Sequence, residues 1–127
     1  MLNKVIIIGR LGKEPDVKTL ASGSLVANFS VATTEKWKDK SGEQNEKTEW
    51  HKCSAFGKTA EICERYLKKG SLVYVEGRLQ TRSWEDDSGE TKYITEIKVD
   101  KLLMLGAKEK TEDRNEPPPF DYVKDFE

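Results

Sequence analysis

Lys58-Thr59-Ala60-Glu61-Ile62-Cys63-Glu64-Arg65-Tyr66-Leu67-Lys68-Lys69-Gly70 is followed at once by Ser71-Leu72-Val73-Tyr74-Val75-Glu76-Gly77-Arg78-Leu79-Gln80-Thr81-Arg82-Ser83-Trp84, and between the two the chain changes period. In the first part Ile62, Cys63, Tyr66 and Leu67 recur at helical spacing, basic residues fill the last turn, and Gly70 is the stop. In the second part the period is two: Val73, Val75, Gly77 and Leu79 are predicted to face inward, and Tyr74, Glu76, Arg78, Gln80, Arg82 and Trp84 outward. The sequence thus predicts one helix over residues 58–69, set between strands.

Every other ordered segment reads as strand. Residues 48–56 precede the helix with strand character. Residues 25–34 alternate, with Leu25, Ala27, Phe29, Val31 and Thr33 on one side and Val26, Asn28, Ser30 and Ala32 on the other. Asn3-Lys4-Val5-Ile6-Ile7-Ile8-Gly9-Arg10-Leu11 is a β-branched run ended by Gly12, the composition of a strand buried on both faces. Glu14-Pro15-Asp16 turns the chain into residues 17–20, and Ala21-Ser22-Gly23-Ser24 closes a hairpin. The charged stretch 35–47 around Trp37 is expected to be a flexible β-loop. Beyond the quoted stretch, Glu85-Asp86-Asp87-Ser88-Gly89-Glu90 is a polar hairpin loop, and residues 91–105 form the last strand. The order β-β-β-α-β-β predicts an all-β domain with one helix: a five-stranded Greek-key OB-fold barrel with long β-hairpin loops.

The chain has 127 residues, 35% of them charged, and a net charge of -1, which suits one domain. Its charge is uneven. Residues 1–106 hold 18 Lys and Arg against 16 Asp and Glu, while residues 107–127 hold 4 against 7 and contain three consecutive prolines. The first span is expected to be the folded domain and the second a disordered acidic tail. No run resembles a signal peptide, so a cytoplasmic protein is expected. Cys53, Cys63 and the single histidine, His51, fall short of a zinc set, and no cofactor is expected.

The chemistry lies with the tryptophans. Trp37 stands between Lys36 and Lys38, Trp50 shares an alternating face with Lys52, Ser54 and Phe56, and Trp84 closes a strand carrying Arg78 and Arg82 outward. Every nucleobase offers a π-face, so aromatic platforms bind bases without reading sequence, at roughly 1–3 kcal/mol per base. Lys36, Lys38, Lys52, Lys58, Arg78 and Arg82 would neutralise phosphates along the same path.

The segments Asn3-Lys4-Val5-Ile6-Ile7-Ile8-Gly9-Arg10-Leu11-Gly12, Val26-Ala27-Asn28-Phe29, Thr48-Glu49-Trp50-His51-Lys52, Phe56-Gly57-Lys58-Thr59-Ala60, Tyr66-Leu67-Lys68-Lys69-Gly70 and Val73-Tyr74-Val75-Glu76-Gly77-Arg78-Leu79 together resemble the bacterial single-stranded DNA-binding proteins. The resemblance covers about residues 2–106. It implies an OB-fold homotetramer wrapped by single-stranded DNA in replication, recombination and repair, with base stacking at Trp37, Trp50, Phe56 and Trp84. It also implies that His51 serves subunit contacts rather than DNA. The family usually ends in an acidic cluster with a terminal Pro-Phe that recruits replication and repair enzymes. Here Pro119-Phe120 is followed by seven more residues, which leaves Phe120, Asp125 and Phe126 as the candidate partner-binding residues.

Two other function classes fit less well. A nuclease on this fold needs paired carboxylates, a metal cluster or a nucleophile with its base. Glu14 with Asp16 and Asp86 with Asp87 are the available pairs, and both sit in polar turns, so no enzymatic activity is expected. A protein-interaction module on the same barrel has no use for three exposed tryptophans in basic surroundings.

Overall fold

The computed structural model describes residues 1–106; the tail expected over 107–127, with Phe120, Asp125 and Phe126, lies outside them. Six strands and one helix follow in the order β1 (Val5–Leu11), β2 (Asp16–Thr19), β3 (Leu25–Lys38), β4 (Gln44–Phe56), α1 (Gly57–Tyr66), β5 (Leu72–Glu85) and β6 (Thr91–Met104). They form one sheet in the order β1-β5-β6-β4-β3-β2, and a further pairing of β1 with β3 rolls it shut. Five strands therefore make the ring, and β2 is an extra strand on the outer side of β3. This is an OB-fold barrel, with the β4–β6 neighbours running parallel at Cys53↔Ile97 and Ser54↔Lys98.

Closure is narrow. Only Arg10↔Ala32 and Leu11↔Val31 join β1 to β3, and a Cβ on Gly9 would drive into the carbonyl of Ala32. The β-branched run needs its one glycine at this point because two backbones meet there. Inside the ring, Leu11, Ala27, Phe29, Val31, Val73, Val75, Ile97, Val99 and Leu102 pack with Cys53 and Ala55. The helix lays Ala60 and Cys63, both fully buried, against this core.

Four expectations are corrected. Strand β1 is not buried on both faces: Ile6 and Ile8 are 54% and 53% exposed, because a barrel strand has one side toward the core and one toward its surroundings. Leu79 keeps its inward parity but is half exposed. Strand β1 last pairs with β5 at Val5↔Gly77, so β5 has lost a flanking strand before it reaches Leu79. The helix is shorter than 58–69: Leu67 is already extended, donating its N–H to the Cys63 carbonyl, so Lys68 and Lys69 lie beyond the last turn.

The fourth is the stretch 35–47, which is ribbon rather than loose loop. Strands β3 and β4 pair without a break from Val26↔Phe56 to Lys38↔Gln44, with Glu35 opposite Lys47 and Lys36 opposite Glu46. Asp39 closes the turn: its Oδ1 accepts from the Ser41 N–H (3.0 Å), the Ser41 hydroxyl (2.8 Å) and the Glu43 N–H (2.9 Å), while Gly42 takes the left-handed φ of 87°. Asp86-Asp87-Ser88-Gly89-Glu90 repeats the same turn in the β5–β6 ribbon. Hydrogen bonding to the serine side chain first, and to the backbone next, holds both Asp39 and Asp86 below the ordinary carboxylate range.

Candidate nucleic-acid interface

Two β-ribbons, β3–β4 and β5–β6, extend from the barrel, and their registers decide which sequence-predicted residues share a surface. Directly paired residues point the same way. Trp50 is paired with Ala32, Lys52 with Ser30, and Phe56 with Val26, so Trp50, Lys52 and Phe56 lie on one outer face. The parallel step from Ser54 to Lys98 carries that face onto β6, and the pairs Arg78↔Lys98, Arg82↔Ile94 and Trp84↔Lys92 carry it onto β5. Residues from four strands, far apart in sequence, thus form one surface.

Along it Trp50, Phe56 and Trp84 are 56%, 42% and 45% exposed, far more than aromatics of a core. Each of two rings has its own cation. The Lys98 ammonium lies 5.3 Å from the Phe56 ring centre, and the Arg82 guanidinium lies 5.7 Å from that of Trp84. Arg82 is held in place by Glu96, Nε to Oε1 at 3.0 Å. Arg78 stands at 4.0 Å from Asp100. A groove of about 260 Å³ is lined among others by Lys13, Asn28, Ser30, Lys52, Arg82 and Glu96. Its charge is mixed, since Glu14 and Asp16 also reach it. The groove thus offers a few placed cations rather than a uniformly basic wall.

Other predicted residues fall elsewhere. Lys36 and Lys38 share the face of Trp50 by register, but Trp37, opposite Asn45, is on the reverse face of the same ribbon, 47% exposed. Strand alternation makes a cation–tryptophan–cation triplet two-sided, so the structure does not bring Trp37 together with Trp50. Lys58 is exposed in the first turn of α1, just past Phe56. Lys98 and Lys13 were not among the predicted residues. Lys98 alternates with Ile97 and Val99 on β6, but nothing local says that β6 runs beside Phe56.

The groups considered for other chemistry are committed to structure. Cys53 and Cys63 are buried free thiols whose pKa burial pushes up to about 12, which removes the thiolate needed for nucleophilic or metal chemistry near neutrality. His51, half-buried, shares a hydrogen bond of 2.8 Å between Nε2 and the Thr33 hydroxyl, on the face away from Trp50. Among the described residues no three metal-ligating side chains gather, and no helix is long and apolar enough to cross a membrane.

Residues 2–105 match the single-strand binding protein family. Single-stranded DNA-binding protein 1 of Chlorobaculum tepidum is 56% identical over 109 residues, covering 85% of this chain and 67% of its own. Among solved structures, a Plasmodium falciparum SSB in complex with ssDNA is similar with a TM-score of 0.77 and 41% identity, over 84% of this chain and 97% of that one. A deletion mutant of the single-stranded DNA binding protein from Thermus aquaticus is similar with a TM-score of 0.73 and 33% identity, over 84% of this chain and 52% of that one.

Proposed function

The chain belongs to the single-strand binding protein family, and on that footing we propose how it works: it binds single-stranded DNA without reading sequence, protecting it during replication, recombination and repair. The observation that carries this is the row of half-exposed Trp50, Phe56 and Trp84 beside Lys52, Arg82 and Lys98 on one continuous face. The rings stack on bases, the cations meet phosphates, and no major-groove reading element is needed. Lys36, Lys38, Lys58 and Arg78 extend the phosphate path, and Trp37 stacks on a base where the strand passes round the edge of the β3–β4 ribbon. The protein performs no chemical step on the DNA and acts in the cytoplasm.

Titration with oligo-dT at two salt concentrations tests this. Tryptophan emission should be strongly quenched, affinity for short oligonucleotides should fall steeply with salt as counterions are released, and duplex of equal length should bind far more weakly. Tighter binding to a defined duplex would defeat the reading.

Self-association belongs to the same proposal. On the outer side of β1 and β5, Ile6 and Ile8 are half exposed opposite Glu76 and Tyr74. The polar groups there are already tied together: the Tyr74 hydroxyl donates to Glu76 Oε1 at 2.8 Å, and Lys4 Nζ lies 3.0 Å from Glu76 Oε2. That hydrogen bond first, and Lys4 next, keep the Glu76 carboxyl below its ordinary range. An apolar strand face with its charges internally paired suits a second copy of the chain, and a homotetramer supplies enough barrels to wrap a long strand. The tail, with Phe120, Asp125 and Phe126, is proposed to recruit replication and repair enzymes. Deleting residues 117–127 should abolish binding to a candidate helicase or exonuclease, and equal binding by the truncated and full-length forms would make it a spacer.

A further inference from the structure

Trp50 is the most exposed of the three tryptophans, yet a stacking platform needs a fixed ring. Something must hold it from behind. Register gives the neighbours: Trp50 is opposite Ala32, which is in turn opposite Arg10, so the surface beside the indole is built from the end of β1 and the residues that follow it. Gly12 lies there, its N–H donated to the Ser30 carbonyl at 3.2 Å. A Cβ built on Gly12 would stand 2.5 Å from Cζ3 and 2.9 Å from Cη2 of Trp50. The six-membered ring therefore rests directly on the glycine Cα. Gly12 is not among the glycines with positive φ, so its backbone conformation is open to any residue. The demand for glycine comes from the ring alone.

We infer that Gly12 is a positioning residue for DNA binding, the seat on which the indole of Trp50 lies so that its other face is presented to a base. A side chain at position 12 evicts the ring. Because Trp50 is already more than half exposed, the ring can swing into solvent with little effect on the core, so the loss falls on binding rather than on folding. This inference rests on the stacking role proposed for Trp50.

The test is a double-mutant cycle on the full chain, read by anisotropy of labelled oligo-dT with melting followed in parallel. Trp50→Ala alone should weaken binding; if it does not, the stacking role of Trp50 fails and the Gly12 inference with it. Given that weakening, Gly12→Ala should reduce affinity by about 5- to 100-fold, the range of one base stack. It should add nothing in the Trp50→Ala background, and should cost much less beside Trp50→Phe, whose ring is too short to meet the new methyl. Native affinity in Gly12→Ala, or an equal loss in both backgrounds, would overturn the inference while leaving Trp50 as a platform. A Gly12→Ala protein that fails to fold even beside Trp50→Phe would also overturn it, because the glycine would then be required by the backbone.

Discussion

Replacing Trp50 and Trp84 together by alanine is expected to weaken oligo-dT binding by roughly 2–6 kcal/mol, two stacks at about 1–3 kcal/mol each. In affinity this is on the order of 30- to 10,000-fold. The two rings sit on different ribbons but on one face, joined through the pairings of β4 with β6 and β6 with β5. The proposed function has one strand of DNA engage both. Stability should fall only moderately, by roughly 1–3 kcal/mol, because both rings are half exposed and the double change gives up the packed half of each ring together with the surface cation–π pair of Arg82 with Trp84. Conservative changes to phenylalanine should keep much of the affinity, since a π-face survives. Equilibrium titration beside a melting curve separates the outcomes. Unchanged affinity in the double variant would return both residues to structure and remove the basis of the proposed function.

Substituting glutamate for Ile8 is expected to break the assembly. Fully burying one isoleucine is worth about 1.5–3 kcal/mol, and Ile6 and Ile8 keep roughly half of that unrealised in a single chain. A symmetric assembly repeats the gain in every copy. A glutamate at position 8 would stand beside Glu76, which Lys4 and Tyr74 already satisfy, so its charge would enter the interface unpaired at a cost of several kcal/mol per copy. Light scattering should give four chains for the parent protein and fewer for Ile8→Glu. A second readout follows from geometry: oligonucleotides that fit one barrel, about 4–16 nucleotides, should bind nearly as before, while long strands lose the avidity of joined sites. A monomeric parent at micromolar concentration, or an unchanged mass in the variant, would defeat the tetramer.

Whatever depends on neighbours in the chain is legible from the residues alone. The period change at Gly70, the single helix, the alternation of β3 and β5 and the turn residues are local properties, and together they were enough for the OB-fold. The same alternation correctly placed Trp50, Lys52 and Phe56 on one face, because β4 pairs with β3 without a bulge. How these local faces meet follows from the packing of the barrel. The exposure of Ile6, Ile8 and Leu79 depends on where the barrel ends and which strands flank β1 and β5, and a run of apolar residues reads the same in either setting. The shift of Trp37 to the reverse face follows from the unbroken β3–β4 register through a stretch whose charges read as loop. Lys98 over Phe56 and Gly12 under Trp50 bring together residues some forty positions apart in the chain. Contacts between side chains so distant in the chain form only when the barrel closes, so no local pattern announces them.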